Sequence, residues 1–439
     1  MYVKRLRLQN VRGFQDLDFD FERPDGSYAG WTVFVGGNSS GKSTLLKSLA
    51  LAILGPDAGR QLMGPTQGWI HQGAKSGEAQ VDLVADELDS FRGAGKTRKE
   101  LDATVVWELE QEGDEVPVFR SKAWARRNST LAERGPWSRN AAGWFSCGYG
   151  PMRRLSEGSL ETTNRFAETK SSESRFMTLF REDAALSKSE AWLRRMHSRN
   201  LESPGNGASE ILNGVQALLN DGLLPQGIKV SKITVDKVFV TDGRGIELPM
   251  SDISDGCRSV YATILNIVQG LSEVYGNRIF GQADSGKTID DKPGVVIIDE
   301  VEAHLHPTWQ REIPYWLKAH FPRIQFLVST HSPLVAQAAD PNGLFLLPVQ
   351  NDYSSRPRRA TQEQWERIRW GTAHKTVLGV AFGLDSTRTR WAEQRIARWQ
   401  LLNAKKSAGA VLTEPELQEH QELQERLEQV FDNSSGSVE

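Results

Sequence analysis

The chain holds only two cysteines, Cys147 and Cys257, in 439 residues. That is too few for a disulfide scaffold or a cysteine-ligated zinc site, and it fits a reducing cytoplasm. Long apolar runs are missing as well. None reaches the roughly 18 residues that a membrane span needs, and the opening Met1-Tyr2-Val3-Lys4-Arg5-Leu6-Arg7-Leu8 alternates like a strand, which argues against a leader and against any membrane partner. No excess of one charge is present either: the net charge is −3 with 25% charged residues. The chain is therefore no polycation, and a nucleic-acid surface would have to be a local patch. Helical spacing over 173–222 contains no sustained heptad tract, which excludes an extended coiled-coil arm. The length suggests two or three lobes at about 100–200 residues each.

What the sequence does contain is a strand, a glycine-rich loop and a helix in immediate succession. Trp31 to Val35 is apolar and strand-like, Gly36-Gly37-Asn38-Ser39-Ser40-Gly41 is the loop, and Lys42-Ser43-Thr44 opens a helix. This is the G-x-x-x-x-G-K-[ST] pattern. Glycines at both ends allow the backbone to turn its N–H groups around a phosphate chain. Lys42 adds charge near the β and γ phosphates, the Ser43 hydroxyl can ligate Mg²⁺, and the positive end of the following helix faces the phosphates. Gly36, Asn38, Ser39, Gly41, Lys42, Ser43 and Thr44 are thus the candidate ligands of ATP, with Mg²⁺ as its companion ion. The same pattern recurs at Gly281-Gln282-Ala283-Asp284-Ser285-Gly286-Lys287-Thr288. No buried strand precedes it and Pro293 prevents a long helix after it, so it reads as a surface loop.

Ahead of the loop, Val3 to Leu8 and Leu17 to Phe21 alternate like an antiparallel pair. Strands are expected at 80–84 and 103–109, separated by a stretch carrying Lys122, Trp124, Arg126, Arg127, Arg134, Trp137 and Arg139. Interleaved bases and aromatics can track DNA or RNA, and a solvated loop over packed tryptophans is the plainer alternative. Arg153 and Arg154 could meet phosphate or pair with the acids that follow. Residues 173–222 form a helical lobe, 228–240 alternates again, and helices are expected at 365–370, 377–382, 391–402 and 414–431.

Three further stretches carry chemistry. Ser254-Asp255-Gly256 opens a helical run and presents a hydroxyl and N–H groups suited to an anion. Val295-Val296-Ile297-Ile298 reads as a strand buried on both faces and ends in Asp299-Glu300, where open α/β sheets bind ligands. Asp299 is suited to holding Mg²⁺ and Glu300 to orienting or deprotonating water. A second such strand, 324–328, ends in Ser329-Thr330-His331-Ser332-Pro333, which lets His331 sense a γ phosphate. His304 and His306 lie two apart with no cysteine near, a spacing better suited to a structural or dimer-contact role than to a metal.

In that order, the P-loop, Ser254-Asp255-Gly256, Ile298-Asp299-Glu300, Glu302-Ala303-His304-Leu305-His306-Pro307 and Ser329 to Pro333 resemble the ABC-type ATPases of the RecF, SMC and OLD branch. The resemblance implies an α/β chain. An ABC-type P-loop head, with a mixed sheet flanked by helices, would span 1–55 and 225–350. A β-rich segment and helical lobe would be inserted at 56–224, a helical region would follow at 351–431, and 432–439 would be a disordered tail. It also implies that Ser254 and Gly256 touch the γ phosphate held by a second subunit in a head-to-tail dimer, that Glu300 is the catalytic glutamate and that His331 is the switch histidine. Gln72 and Gln80 are candidates for the Q-loop. With a short insert and no nuclease pattern after 350, the chain is similar to PtuA-like and retron-associated ATPase subunits of bacterial anti-phage systems, which work with a separate effector such as a nuclease. A RecF-like repair ATPase and a scaffold that holds ATP structurally are the alternatives, and a transporter subunit fits least.

Overall fold

The computed structural model describes residues 1–93, 98–110, 116–122, 130–139, 141–152, 172–181, 187–203, 207–224, 227–281, 288–348, 356–377, 379, 381–383 and 386–432. They divide into two units, Met1–Gly383 and Leu384–Glu439.

The first unit is built on two sheets with a helix between them. β1 (Tyr2–Val11) and β2 (Phe14–Asp20) pair antiparallel and continue through β4 (Ser76–Val84), β5 (Glu100–Glu108) and β6 (Val118–Ser121) in the order β2-β1-β4-β5-β6. The second sheet has six strands in the order β14-β13-β3-β12-β11-β7. They are β3 (Gly30–Val35), β7 (Ser146–Tyr149), β11 (Gly294–Ile298), β12 (Ile324–Thr330), β13 (Leu344–Leu346) and β14 (Arg358–Arg359), and all are parallel except β14.

Helix α1 (Lys42–Leu62) fills the space between the sheets. Because successive side chains of a strand point to opposite faces, Phe34, Val295, Ile297 and Leu327 pack with α1 on one side of the parallel sheet. Trp31, Val33, Val35, Val296, Ile298, Phe326 and Val328 pack on the other. That far face is covered by α2 (Ser187–Glu202), α3 (Ala208–Asn220), α4 (Asp255–Tyr275) and α5 (Pro307–His320), with a small sheet of β8 (Lys229–Ile233), β9 (Val238–Thr241) and β10 (Glu247–Pro249). Burial on both faces is why these strands read as continuous apolar runs. α1 bends at Gly55, which has φ 81, and Pro56 follows. The indole of Trp137 packs where a Cβ on Gly55 would lie, and its Nε1 donates to the Ala52 carbonyl over 2.9 Å.

Strands of the 56–224 stretch pair with both sheets of the head. β4 pairs with the edge of β1, and β7 is the outer strand of the parallel sheet, its residues Ser146 to Tyr149 aligned with Val295 to Ile298. Phe176, Met177 and Leu179, expected in the helical lobe, pack instead in the core around α1. The alternation of Val81, Leu83, Val105 and Trp107 marked strands correctly, but partners as distant as Val3, which pairs with Leu83, leave no local trace. In the basic, aromatic stretch, Lys122 pairs with Glu78 at 2.7 Å and Arg134 donates to the carbonyls of Arg92 and Gly93. Trp124, Arg126, Arg127, Arg153 and Arg154 lie outside the described residues.

After β14 come α6 (Gln362–Trp370) and a short helix at Ala373–Val377. Of the helix expected over 377–382, Val377 ends the short helix, whereas Gly379, Ala381 and Phe382 lie in bends and turns before Gly383 at φ 62. The second unit is an antiparallel hairpin of α7 (Arg390–Ser407) and α8 (Glu414–Asp432), joined by Arg398–Glu419 and Lys405–Glu416 ion pairs. No helix of the described residues is long and apolar enough to cross a membrane.

One side chain ties the two sheets together. Gln325 on β12 is fully buried, and its amide accepts from the Val3 N–H at 2.7 Å and donates to the Val3 carbonyl at 2.8 Å. Gln325→Leu keeps the volume but leaves both backbone groups of Val3 buried without partners, at about 1–3 kcal/mol for each such group. The variant is expected to unfold at lower urea concentration with an unchanged slope, as measured by denaturant titration.

Candidate nucleotide-binding site

Parallel register brings the sequence-flagged residues to one edge. β3 pairs with β12 and β12 with β11, so the loop after Val35, the His331 turn and the Asp299-Glu300 turn leave the carboxyl ends of three adjacent strands. That is the edge where open α/β sheets take ligands.

The loop 36–41 is shaped by steric demands. Gly41 has φ 93, and a Cβ there would sit 2.5 Å from the Phe14 ring. A Cβ on Gly36 would sit 2.6 Å from the Ser40 hydroxyl. Asn38 and Ser39 are exposed, and Ser39 adopts φ 62. Lys42 is buried, and its ammonium donates to the Gly36 and Gly37 carbonyls at 2.9 Å each. Burial lowers its pKa, against which Asp299, Glu300 and Glu302 act to raise it. Ser43 is exposed and Thr44 half-buried on the first turn of α1. Among the described residues the buried Ser40 hydroxyl has no hydrogen-bond partner. This orphaned group and the ring of loop backbone around an ammonium suit an anionic ligand such as a phosphate chain.

The two acidic and histidine turns are stitched to each other. Asp299 is 2% exposed and its N–H donates to the Tyr149 carbonyl at 2.8 Å, which fixes it to β7. The Ser329 hydroxyl donates to the Asp299 carboxylate and accepts from the Glu300 N–H at 2.8 Å. Glu300 has φ 48, an uncommon left-handed conformation for a glutamate. Glu302 accepts from the Thr330 hydroxyl at 2.7 Å and from the His331 N–H. The His331 imidazole has its pKa lowered, first by burial and then by the positive charge of Lys42, with Glu302 and Asp299 opposing. A buried acid, an exposed hydroxyl and a hard, oxygen-rich setting are the donors that Mg²⁺ takes.

Ser254 is exposed at the start of α4, where its hydroxyl caps the helix by accepting from the Cys257 N–H at 3.4 Å. Asp255 is held by Arg258. Gly256 lies so close to the loop after Glu300 that a Cβ would stand 2.4 Å from the His304 carbonyl oxygen. His306 caps α5 by accepting from the Thr308 N–H at 3.3 Å. Among the described residues no group of three or more His, Cys, Asp or Glu is arranged to hold a metal. Gln80 lies on β4 with its amide on Asp82, and Gln72 is exposed in a turn. Of the second P-loop match only Gly281 and Thr288 are described, joined by a backbone hydrogen bond of 2.9 Å, and Lys287 lies outside.

Residues 5–178 match the family described as "AAA domain", and residues 145–336 match "AAA domain, putative AbiEii toxin, Type IV TA system". Both matched families are AAA domains, and together the two matches run from residue 5 to residue 336. The chain is 29% identical to a "Septu protein PtuA" of Bacillus thuringiensis over 38% of its own length and 41% of the relative's. It is 24% identical to the "Retron Vc95 probable ATPase" of Vibrio cholerae serotype O1 biovar El Tor, over 75% of this chain and 71% of that protein. The chain spans about two fifths of the length of the Septu relatives it matches. An SMC head bound to the C-winged helix domain of ScpA aligns at a TM-score of 0.46 and 15% identity, over 83% of this chain and 99% of that one.

Sequence reasoning assigned no role to Ser329, Thr330, Glu302 or Phe14. The first three were visible as polar residues immediately beyond buried strands, but their pairing across β11 and β12 is a matter of register. Phe14 reads as part of a turn with Gly13, whereas it opens β2, and nothing local indicates that its ring seats Gly41.

The lowered pKa of His331 has a consequence for stability. The unfolded chain takes up the proton near the ordinary histidine value of about 6.5, before the folded chain does. Stability is therefore complete above that pH and declines as pH falls toward the lower folded value. His331→Asn is expected to shallow the fall of Tm between pH 7.5 and 5, read by thermal denaturation at each pH.

Proposed function

We propose that the chain is an ATP-switched regulatory ATPase whose heads pair head to tail around nucleotide. The observation that carries this reading is the meeting of Lys42, Asp299, Glu300 and His331 at the ends of three adjacent parallel strands. Loop 36–41 and Lys42 bind the phosphates, and Ser43 with Asp299 would hold Mg²⁺, which would offset the charge of the phosphate oxygens. Glu300 orients the attacking water and accepts its proton, while His331 reports on the γ phosphate. Ser254 and Gly256, at the exposed start of α4, complete the site of a second copy. The likeness to the Septu and retron proteins supports a role in anti-phage defence, in which the ATPase governs a separately encoded effector, a nuclease by chemical class.

Lys42→Ala is expected to abolish ATP binding in a fluorescent-nucleotide titration, and Lys287→Ala to leave it intact. The reverse pattern would move the phosphate site to the second loop. Glu300→Gln keeps the shape and removes the base, so ATP should still bind while turnover falls by about 10²–10⁴-fold. The same variant should accumulate as an ATP-dependent dimer in light scattering. Ser254→Arg should bind ATP yet lose both dimer and turnover. Wild-type hydrolysis by Glu300→Gln, or full activity of Ser254→Arg, would overturn the composite-site mechanism, and ATP binding without turnover in the unaltered chain would favour a scaffold that holds ATP structurally.

A further inference from the structure

Loop 299–305 contains two non-glycine residues in left-handed conformations, Glu300 at φ 48 and His304 at φ 67. Such a conformation is strained for a residue with a Cβ and persists only where its surroundings over-determine it. At one end of the loop, Glu302 spans to the neighbouring strand with both carboxylate oxygens, one accepting from the Thr330 hydroxyl and the other from the His331 backbone N–H. The Thr330 hydroxyl in turn accepts from the Ser332 N–H at 2.9 Å, so one carboxylate organises three successive residues of the turn. At the other end, the His304 carbonyl abuts Gly256 on the first turn of α4.

We propose that Glu302 is a positioning residue. Its carboxylate locks the backbone of His331 to the loop that carries Glu300, so the water-orienting carboxylate and the histidine hold one register. Through His304 the same loop bears on the start of α4, which links that register to the surface where Ser254 meets a second copy. Carboxylate-to-N–H bonds are among the strong hydrogen bonds, and removing the acceptor leaves a half-buried N–H without its partner. Glutamine at 302 retains both links: its carbonyl accepts from His331, and its amide donates to the Thr330 oxygen, whose own proton can rotate away. Geometry is thus separable from charge.

This inference rests on the ATPase reading, and two measurements on the full chain keep the two apart. The first is amide exchange of the 329–333 peptide. It should quicken in Glu302→Ala, stay near wild type in Glu302→Gln, and rise moderately in Thr330→Val. The second is the comparison of ATP affinity with single-turnover hydrolysis. Glu302→Ala should bind ATP within about threefold of wild type and hydrolyse it about 10–100-fold more slowly, the scale for a reacting group displaced by an ångström or less, while Glu302→Gln recovers most of the rate. Unchanged exchange in Glu302→Ala would overturn the proposal, as would wild-type turnover in that variant or an equal defect in Glu302→Gln. Should Glu302→Ala fail to fold, the ranking of Thr330→Val against Glu302→Gln in the same assays decides. A wild-type chain with no turnover would defeat the ATPase reading, and the exchange result would still decide whether Glu302 holds the His331 backbone.

Discussion

Parallel pairing of β3 with β12 and of β12 with β11 is the constraint on which the site depends. Each strand taken alone ends in an ordinary polar turn. Set side by side in register, the three ends place an ammonium, two carboxylates and an imidazole within electrostatic reach. A slip of one residue would send each strand's side chains to the opposite face of the sheet and separate the group. Burial on both faces, between α1 on one side and the helices around α4 on the other, is what makes such a slip costly.

The charges at this edge are arranged to remain compatible in a poorly solvated place. Lys42 is held by loop carbonyls rather than by a carboxylate, which leaves its charge to act on the wider site. Asp299 is fixed by a hydroxyl and through its own N–H, and Glu302 by a hydroxyl and an N–H. Hydrogen bonds to neutral donors stabilise a carboxylate without cancelling the field it exerts on its neighbours.

Much of this was legible in the sequence because its signals are local. The glycine spacing before Lys42, the unbroken apolar runs ending at Asp299 and at Ser329, and the capping serine at 254 each report on a few consecutive residues. The role of 56–224 was less so. Its strands announce themselves by alternation, yet nothing near Ser146 indicates that β7 will lie against Val295, or that Phe176 will join the core around α1. Glu302 is similar: the residue was visible within its motif, but its partners lie on another strand. Contacts made across register are what a linear reading loses. Near the end of the first unit the reverse occurred, since 377–382 has helical composition, yet Gly379, Ala381 and Phe382 lie in bends and turns beside Gly383.

The bond between Gln325 and Val3 bears on how the molecule can flex. Because it closes both polar groups of one β1 residue against the middle of the parallel sheet, the two sheets and α1 between them form a single block. Any hinge dividing that block would strand an amide and a peptide group in apolar surroundings. On the opposite side of the parallel sheet, α4 meets loop 299–305 where Gly256 faces the His304 carbonyl and where Val260 and Ile264 share a core with Val301 and Leu305. At Gly256 there is no room for a side chain, so any change in the loop that carries Glu300 is felt directly by the backbone of the first turn of α4.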